Sequence, residues 1–94
     1  ITSDEPGIYR EGYHGIRHEN MILCSSMGEN EFGRWLGFET LTRTYLDTAP
    51  LIQPLMDRRE TEWLNIFNHT VFEELSPYLT PDEKEWLKHK TQSI

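Results

Sequence analysis

A predicted β-hairpin near the N-terminus constrains the fold more than any other feature of the sequence. The turn is expected at residues 11–15, where two glycines permit positive φ angles. A hairpin centred on Gly12 pairs residues at equal distances on either side, so that Glu5 faces Glu19. Two carboxylates directly opposed across a ladder repel each other unless a proton or a cation lies between them. The pattern alone therefore leaves two interpretations open: a site for a hard divalent cation between the two carboxylates, or a different register in which one glutamate points to water.

Residues 15–24 have the pattern of a strand, and the pleat places Arg17 on the same face as Glu19. Two large apolar residues share that face, so we expect it to point inward. Arg17 then lies about 7 Å from Glu19 along the strand, where it can hold a carboxylate; a surface arginine is the alternative. Tyr9 is the other polar side chain expected beside the two glutamates. Cys24 lies on the opposite face, and we predict a buried thiol there.

The two motifs that carry these residues resemble a known family. Glu-Pro-Gly-Ile-Tyr at residues 5–9 and Gly-Ile-Arg-His-Glu-Asn at residues 15–20 are similar to the last two metal-ligand strands of the pita-bread metallopeptidases. That family comprises the Xaa-Pro aminopeptidases (aminopeptidase P), the prolidases and their relatives. His18 departs from the pattern, which usually has an aliphatic residue there, and we interpret it as a surface or second-layer residue.

The resemblance implies a two-metal centre in which Glu5 ligates one metal ion and Glu19 bridges both. It implies Mn²⁺, or else Zn²⁺ or Co²⁺, with Arg17 and Tyr9 placed behind the two ligand carboxylates and holding them in position. Two carboxylates are too few for a tight dinuclear site, so we expect residues 1–94 alone to retain metal weakly or not at all. No separate catalytic residue is predicted.

Composition and charge narrow the possible partners and location. A chain of 94 residues forms one domain at most, and no apolar run is long enough to span a membrane. A net charge of −7 argues against binding to nucleic acid or to an anionic membrane surface. The single cysteine excludes an internal disulfide and fits a reducing compartment, so we expect a cytoplasmic protein. Because Ile1 leads directly into a strand-like segment, we expect a piece of a longer chain.

The rest of the chain divides into a loop, a strand and a connector before the helices. Glycines, serines and acidic residues predict a loop at 25–34. Alternation of aromatic and β-branched residues predicts a strand at about 37–46. Two prolines predict an extended connector at 48–56, with exposed apolar side chains.

Two helices are predicted from their capping signals. The first is expected to begin at Asp57, which has capping-box spacing to Glu60, and to end at Ser76 before a proline. Its apolar stripe, expected to form core, contains Trp63, Leu64, Phe67, Val71 and Leu75. The second is expected to begin at Thr80, followed by proline at the first helical position and Glu83 at the third.

These elements predict an α+β fold. The resemblance implies antiparallel strands from the end of a pita-bread catalytic domain at 1–47, followed by two C-terminal helices that form an extension at 48–94. It implies the C-terminal part of an aminopeptidase that releases the N-terminal residue from peptide substrates with proline second, with a possible homodimer. The alternatives are a non-catalytic assembly or dimerisation module and part of a prolidase.

Overall fold

The computed structural model describes residues 1–94 and divides into two compact units, Ile1–Thr42 and Arg43–Ile94. Five antiparallel strands precede two α-helices, which confirms the predicted α+β class. The domain division predicted at residue 47 stays a prediction. Neither α-helix is both long enough and apolar enough to cross a membrane.

The first unit consists of two antiparallel sheets. One has the strand order β1-β4-β5 and the other contains β2 and β3. The strands are β1 (Thr2–Asp4), β2 (Gly7–Arg10), β3 (His14–Arg17), β4 (Asn20–Asn30) and β5 (Gly33–Thr40). Gly7 pairs with Arg17 and Asp4 pairs with Asn20. Both pairs are symmetric about Gly12, so the predicted register is confirmed. The φ of Gly12 is 73°, in the left-handed region, as the turn requires.

A break interrupts the hairpin on both sides at the same level. The prediction that Pro6 and Gly7 break the first strand is confirmed, because β1 ends at Asp4 and β2 begins at Gly7. The prediction of one continuous strand over 15–24 is wrong, because residues 18 and 19 belong to no strand. In this register Pro6 stands opposite His18, and proline has no N–H to donate to a ladder. The proline thus explains the break on both sides.

The loop predicted at 25–34 is wrong. β4 continues to Asn30 and pairs with β5 from Gly33 onward, with a register shift between Ser26 and Gly28. Gly28 and Gly33 have φ angles of 116° and 134°, so these glycines shape the bulge and the turn of a hairpin. The loop-like composition of residues 25–34 therefore belongs mostly to a β-hairpin with a bulge.

The strand predicted at 37–46 begins four residues earlier and ends at Thr40. Beyond that point the Leu41 amide still donates to the Met21 carbonyl oxygen, at 2.7 Å. The Met21 amide, however, donates to Oγ1 of Thr42, at 2.8 Å. A side-chain oxygen thus replaces the next backbone acceptor, and regular pairing stops.

The second unit contains α1 (Arg58–Leu75) and α2 (Pro81–Lys90). Both predicted capping boxes are confirmed, with Asp57 and Thr80 as N-caps, and Ser76 is the C-cap of α1. The connector before α1 was expected to be extended throughout, but Gln53–Leu55 form a short 3-10 helix.

All four buried apolar residues lie in the second unit: Leu64, Phe67, Val71 and Leu87. Trp63, predicted as core, is about half exposed and stacks on Phe67 at 5.4 Å between ring centroids. The first unit has no buried apolar side chain, and its one buried residue is Asn20.

Polar contacts from α1 hold two segments of the second unit that have no regular secondary structure. The buried Asn68 amide accepts a hydrogen bond from the Leu46 N–H at 2.8 Å and donates to the Leu46 carbonyl at 3.0 Å. Asn65, one turn earlier and partly exposed, makes the same pair of bonds to Ile94. Each asparagine side chain thus satisfies both backbone groups of one residue, as a neighbouring strand does.

Candidate metal centre

Glu5 and Glu19 lie at the break between the two sheets. Neither belongs to a strand, but the pairs on both sides, Asp4 with Asn20 and Gly7 with Arg17, keep the same register. The two glutamates therefore stand opposite each other, as predicted from a hairpin centred on Gly12. The break leaves their backbone outside the ladder, so both carboxylates project from an irregular segment between two fixed strand ends.

Arg17 connects the predicted site residues. Its Nη2 lies 2.8 Å from Oε2 of Glu19, and its Nε donates to the same oxygen at 2.9 Å. The same Nε lies 3.8 Å from Oε2 of Glu5. On its other edge, Nη1 donates to the Tyr9 hydroxyl at 3.5 Å. The other three residues predicted from sequence thus gather around the guanidinium group of Arg17.

Tyr9 reaches this position by lying across two glycines. A Cβ atom on Gly7 would come within 2.5 Å of the Tyr9 hydroxyl, and one on Gly15 within 2.9 Å of its ring. Only glycine at these two positions lets the ring lie this close to the backbone of β2 and β3. The glycines of both motifs therefore help to direct the tyrosine hydroxyl toward Arg17.

The site is open to solvent within residues 1–94. The side chains of Arg17, Glu5 and Glu19 are 46%, 48% and 40% exposed. The expectation that the face of Glu19 points inward is therefore wrong for this chain, because Met21 on the same face is also exposed. The hydrogen bond with the Tyr9 hydroxyl and, after it, the negative charge of Glu19 raise the pKa of Arg17, which keeps the guanidinium charged.

Sequence reasoning missed two residues beside the carboxylates. The Ser3 hydroxyl donates to Oε1 of Glu5 at 2.6 Å, which the two-residue spacing could have indicated, because residues i and i+2 of an extended chain point to the same side. Asn20 follows Glu19 and is 9% exposed, and its buried Oδ1 has no hydrogen-bond partner. No sequence signal marks that burial. Cys24, predicted to be buried, is exposed.

The donor set suits a hard divalent cation but is incomplete. Glu5 and Glu19 offer carboxylate oxygens, the ligands preferred by ions such as Mn²⁺. Within residues 1–94, no group of three or more His, Cys, Asp or Glu side chains is arranged to hold a metal ion. The pair can therefore supply only part of a coordination sphere.

Comparison with known proteins places the chain in a family. Residues 34–94 match the family model described as the C-terminal region of peptidase_M24. The chain belongs to this family. The resemblance found in the sequence is thereby confirmed, and the M24 match begins beyond Glu5 and Glu19.

Relatives of this M24 chain align with all of it, including both motifs. It is 39% identical to the probable Xaa-Pro aminopeptidase P of Paracoccidioides brasiliensis (strain Pb03) and 38% identical to that of Ajellomyces capsulatus (strain NAm1 / WU24). Each alignment covers 100% of this chain and 16% of the relative. The chain thus spans about one sixth of the length of the curated relatives that it matches.

A solved structure shares the fold of this M24 chain. It is the X-prolyl aminopeptidase of Caenorhabditis elegans, described as a cytosolic enzyme with a di-nuclear active site. The TM-score is 0.84 at 28% identity, over 98% of this chain and 16% of the other. The predicted assignment to the end of a pita-bread aminopeptidase fold is thereby confirmed.

Proposed function

We propose that residues 1–94 form the C-terminal part of a metal-dependent aminopeptidase that releases the N-terminal residue from peptides with proline second. The observation that carries the proposal is the opposition of Glu5 and Glu19 at the break in the hairpin. Aligned relatives named Xaa-Pro aminopeptidase P support this substrate class over that of a prolidase. The cytosolic description of the C. elegans enzyme supports a cytoplasmic location.

In this proposal Glu5 would ligate one metal ion and Glu19 would bridge two. The di-nuclear active site of the C. elegans enzyme supports a pair of metal ions. Oxygen ligands favour Mn²⁺, with Zn²⁺ or Co²⁺ as alternatives. The remaining ligands would come from the part of the longer protein outside these residues. Residues 1–94 alone are then expected to bind metal weakly or not at all, and to hydrolyse no peptide.

The neighbouring side chains orient the two carboxylates. When bound, two divalent ions supply Lewis-acid activation of a water nucleophile and of the scissile carbonyl. The Ser3 hydroxyl fixes Oε1 of Glu5, which leaves Oε2 on the side of Arg17. The Arg17 fork holds one oxygen of Glu19, and Tyr9 limits the movement of the guanidinium. Such outer contacts set the direction of ligand oxygens.

Metal content and peptide turnover of the full-length protein test this proposal. Wild type should hold two metal ions per chain and cleave a peptide with proline second, and Glu19→Ala should lose both. Glu74→Ala is the matched control, because Glu74 pairs with Arg43 at a similar exposure on the second unit. Equal metal content and turnover in wild type and Glu19→Ala would refute the ligand assignment.

A second candidate function, a non-catalytic assembly or dimerisation module, is favoured by the apolar surface of the second unit. Ile52 and Leu55 in the connector are 64% and 79% exposed, and Trp63 on α1 is 51% exposed. A second copy of the protein could cover these side chains in a homodimer. Light scattering of the full-length protein over a wide concentration range tests this candidate, and a strict monomer would exclude it.

A further inference from the structure

We propose that residues 68–70 form a glycosylation site that the fold conceals, and that N-glycosylation of Asn68 and folding of the second unit exclude each other. The sequence Asn-His-Thr fits the acceptor pattern Asn-x-Ser/Thr, with x other than proline. This pattern ordinarily marks an exposed loop of a secreted protein. Here it lies within α1, and its asparagine is buried. The inference does not depend on the proposed metal site.

The modification requires an accessible Asn68 amide. In the reaction, Nδ2 forms a bond to the anomeric carbon of a lipid-linked oligosaccharide and loses one proton. The bond from that carbon to the lipid pyrophosphate breaks, and the pyrophosphate leaves with the bonding electrons. The product carries a bulky, hydrated group on Nδ2, which has to lie in solvent.

Asn68 has no such access to solvent in the folded unit. It is 1% exposed, and Phe67 and Val71 beside it in α1 are also buried. Its Nδ2 donates to the Leu46 carbonyl oxygen at 3.0 Å, and its Oδ1 accepts from the Leu46 N–H at 2.8 Å. A glycan on Nδ2 would force Leu46 away from α1, which breaks both bonds and opens the buried face of the helix. The folded unit therefore cannot carry the glycan.

The fold also conceals the rest of the acceptor pattern. All three residues belong to regular α-helix, and the Thr70 hydroxyl donates to the Ile66 carbonyl oxygen at 2.9 Å. A transferase has to bind the acceptor residues as a segment separated from the rest of the protein. Transfer to Asn68 thus occurs only on the unfolded chain, and once it has occurred it prevents folding.

This order of events restricts where the second unit can fold. A chain that enters a compartment with the transferase is still unfolded there, so Asn68 is modified before α1 forms. The second unit therefore folds only where the lipid-linked oligosaccharide is absent, as in the cytosol. The constraint comes from the burial of one side chain and is independent of the cysteine content.

The test adds a secretion signal to the full-length protein and produces it in cultured eukaryotic cells. Wild type is compared with Thr70→Ala, which removes the acceptor pattern and leaves both bonds of Asn68 in place. We expect wild type to be glycosylated at Asn68 and retained in the cells. Its yield as secreted, protease-resistant protein should be roughly tenfold or more below that of Thr70→Ala. Peptide mass spectrometry measures the glycan at Asn68.

Two controls separate the position of the glycan from the substitution itself. His89→Asn, combined with Thr70→Ala, creates the same pattern at residues 89–91, with the acceptor at an exposed position of α2. A glycan there should leave the secreted yield within about twofold of that of Thr70→Ala. Produced in the bacterial cytoplasm, where this transfer does not occur, wild type and Thr70→Ala should give equal yields of folded protein.

The outcomes decide the inference without reference to metal content or peptide turnover. Secreted, protease-resistant wild type with a glycan at Asn68 would overturn it. Equal secreted yields of wild type and Thr70→Ala would also overturn it. A yield as low as that of wild type for the combined His89→Asn variant would show that burial of Asn68 is not the cause. Recovery in Thr70→Ala, retained when the glycan is moved to residue 89, supports the inference.

Discussion

Asn68→Ala should be one of the most destabilising single substitutions in the second unit. Asn68 is 1% exposed, and its amide satisfies both the N–H and the carbonyl of Leu46. Alanine removes both partners and leaves no side chain that can replace them. Leu46 lies beyond the end of β5 and belongs to no strand, so no ladder partner can replace the lost bonds.

The magnitude follows from the number of groups left unpaired. A buried backbone donor or acceptor without a partner costs about 1–3 kcal/mol. Two such groups give a range of about 2–6 kcal/mol, and partial access of water to Leu46 favours the lower half, about 2–4 kcal/mol. For a unit of this size, that loss lowers Tm by roughly 10 °C or more.

Asn65→Ala is the matched control, because Asn65 makes the same two bonds to Ile94 from the same helix. Asn65 is only partly buried, so water can replace its amide, and we expect a loss of about 1 kcal/mol or less. Urea unfolding of both variants, followed by the circular dichroism of the two α-helices, which both lie in the second unit, measures the difference. Equal losses, or a loss below 1 kcal/mol for Asn68→Ala, would refute the reasoning.

Three further predictions concern the turn, the second helix and the thiol. Gly33→Ala should destabilise the β4–β5 hairpin by roughly 1–3 kcal/mol in a thermal melt, because its φ of 134° strains any other residue; an unchanged Tm would contradict this. The pKa of Glu83 is lowered, first by its bond from the Thr80 backbone N–H, so its contribution to stability is present above the unfolded pKa and is lost as pH falls through the folded pKa. Thr80→Ala should weaken α2 by about 0.5–2 kcal/mol. The acid-induced loss of helix, measured by circular dichroism, should be smaller in Glu83→Gln than in wild type. Equal acid sensitivity of Glu83→Gln and wild type would argue against the cap. Cys24 is exposed and should react completely with a thiol reagent in native buffer, whereas protection until unfolding would support the original prediction of burial.

The features predicted correctly from sequence depend on local chemistry. Asp57 and Thr80 cap their helices through partners three residues away, so each signal is contained within one turn. The register of the first hairpin depends on Gly12, which sets the turn from which all later pairs are counted. The position of Glu5 opposite Glu19 followed from that register alone.

The features predicted incorrectly depend on partners distant in sequence. Residues 25–34 have a loop-like composition, but pairing with β5 makes a strand of most of them. The end of β5 at Thr40 depends on a hydrogen bond between Met21 and Thr42 that alternation does not encode. The burial of Cys24 and Trp63 was also predicted wrongly. The spacing of apolar residues along a strand or helix shows which residues share a face, but it does not show what covers that face.

The unequal distribution of buried apolar residues has a consequence for local opening. Amide hydrogen exchange should divide the chain into two cooperative units, since protection reflects local burial and packing. Amides around Val71 in α1 should exchange slowest, whereas those of the strands, which have no buried apolar side chain, should exchange through low-energy openings. Glu5 and Glu19 therefore lie on the less protected unit. A ligand that holds these two carboxylates would slow exchange far along the strands, well beyond the residues that it touches.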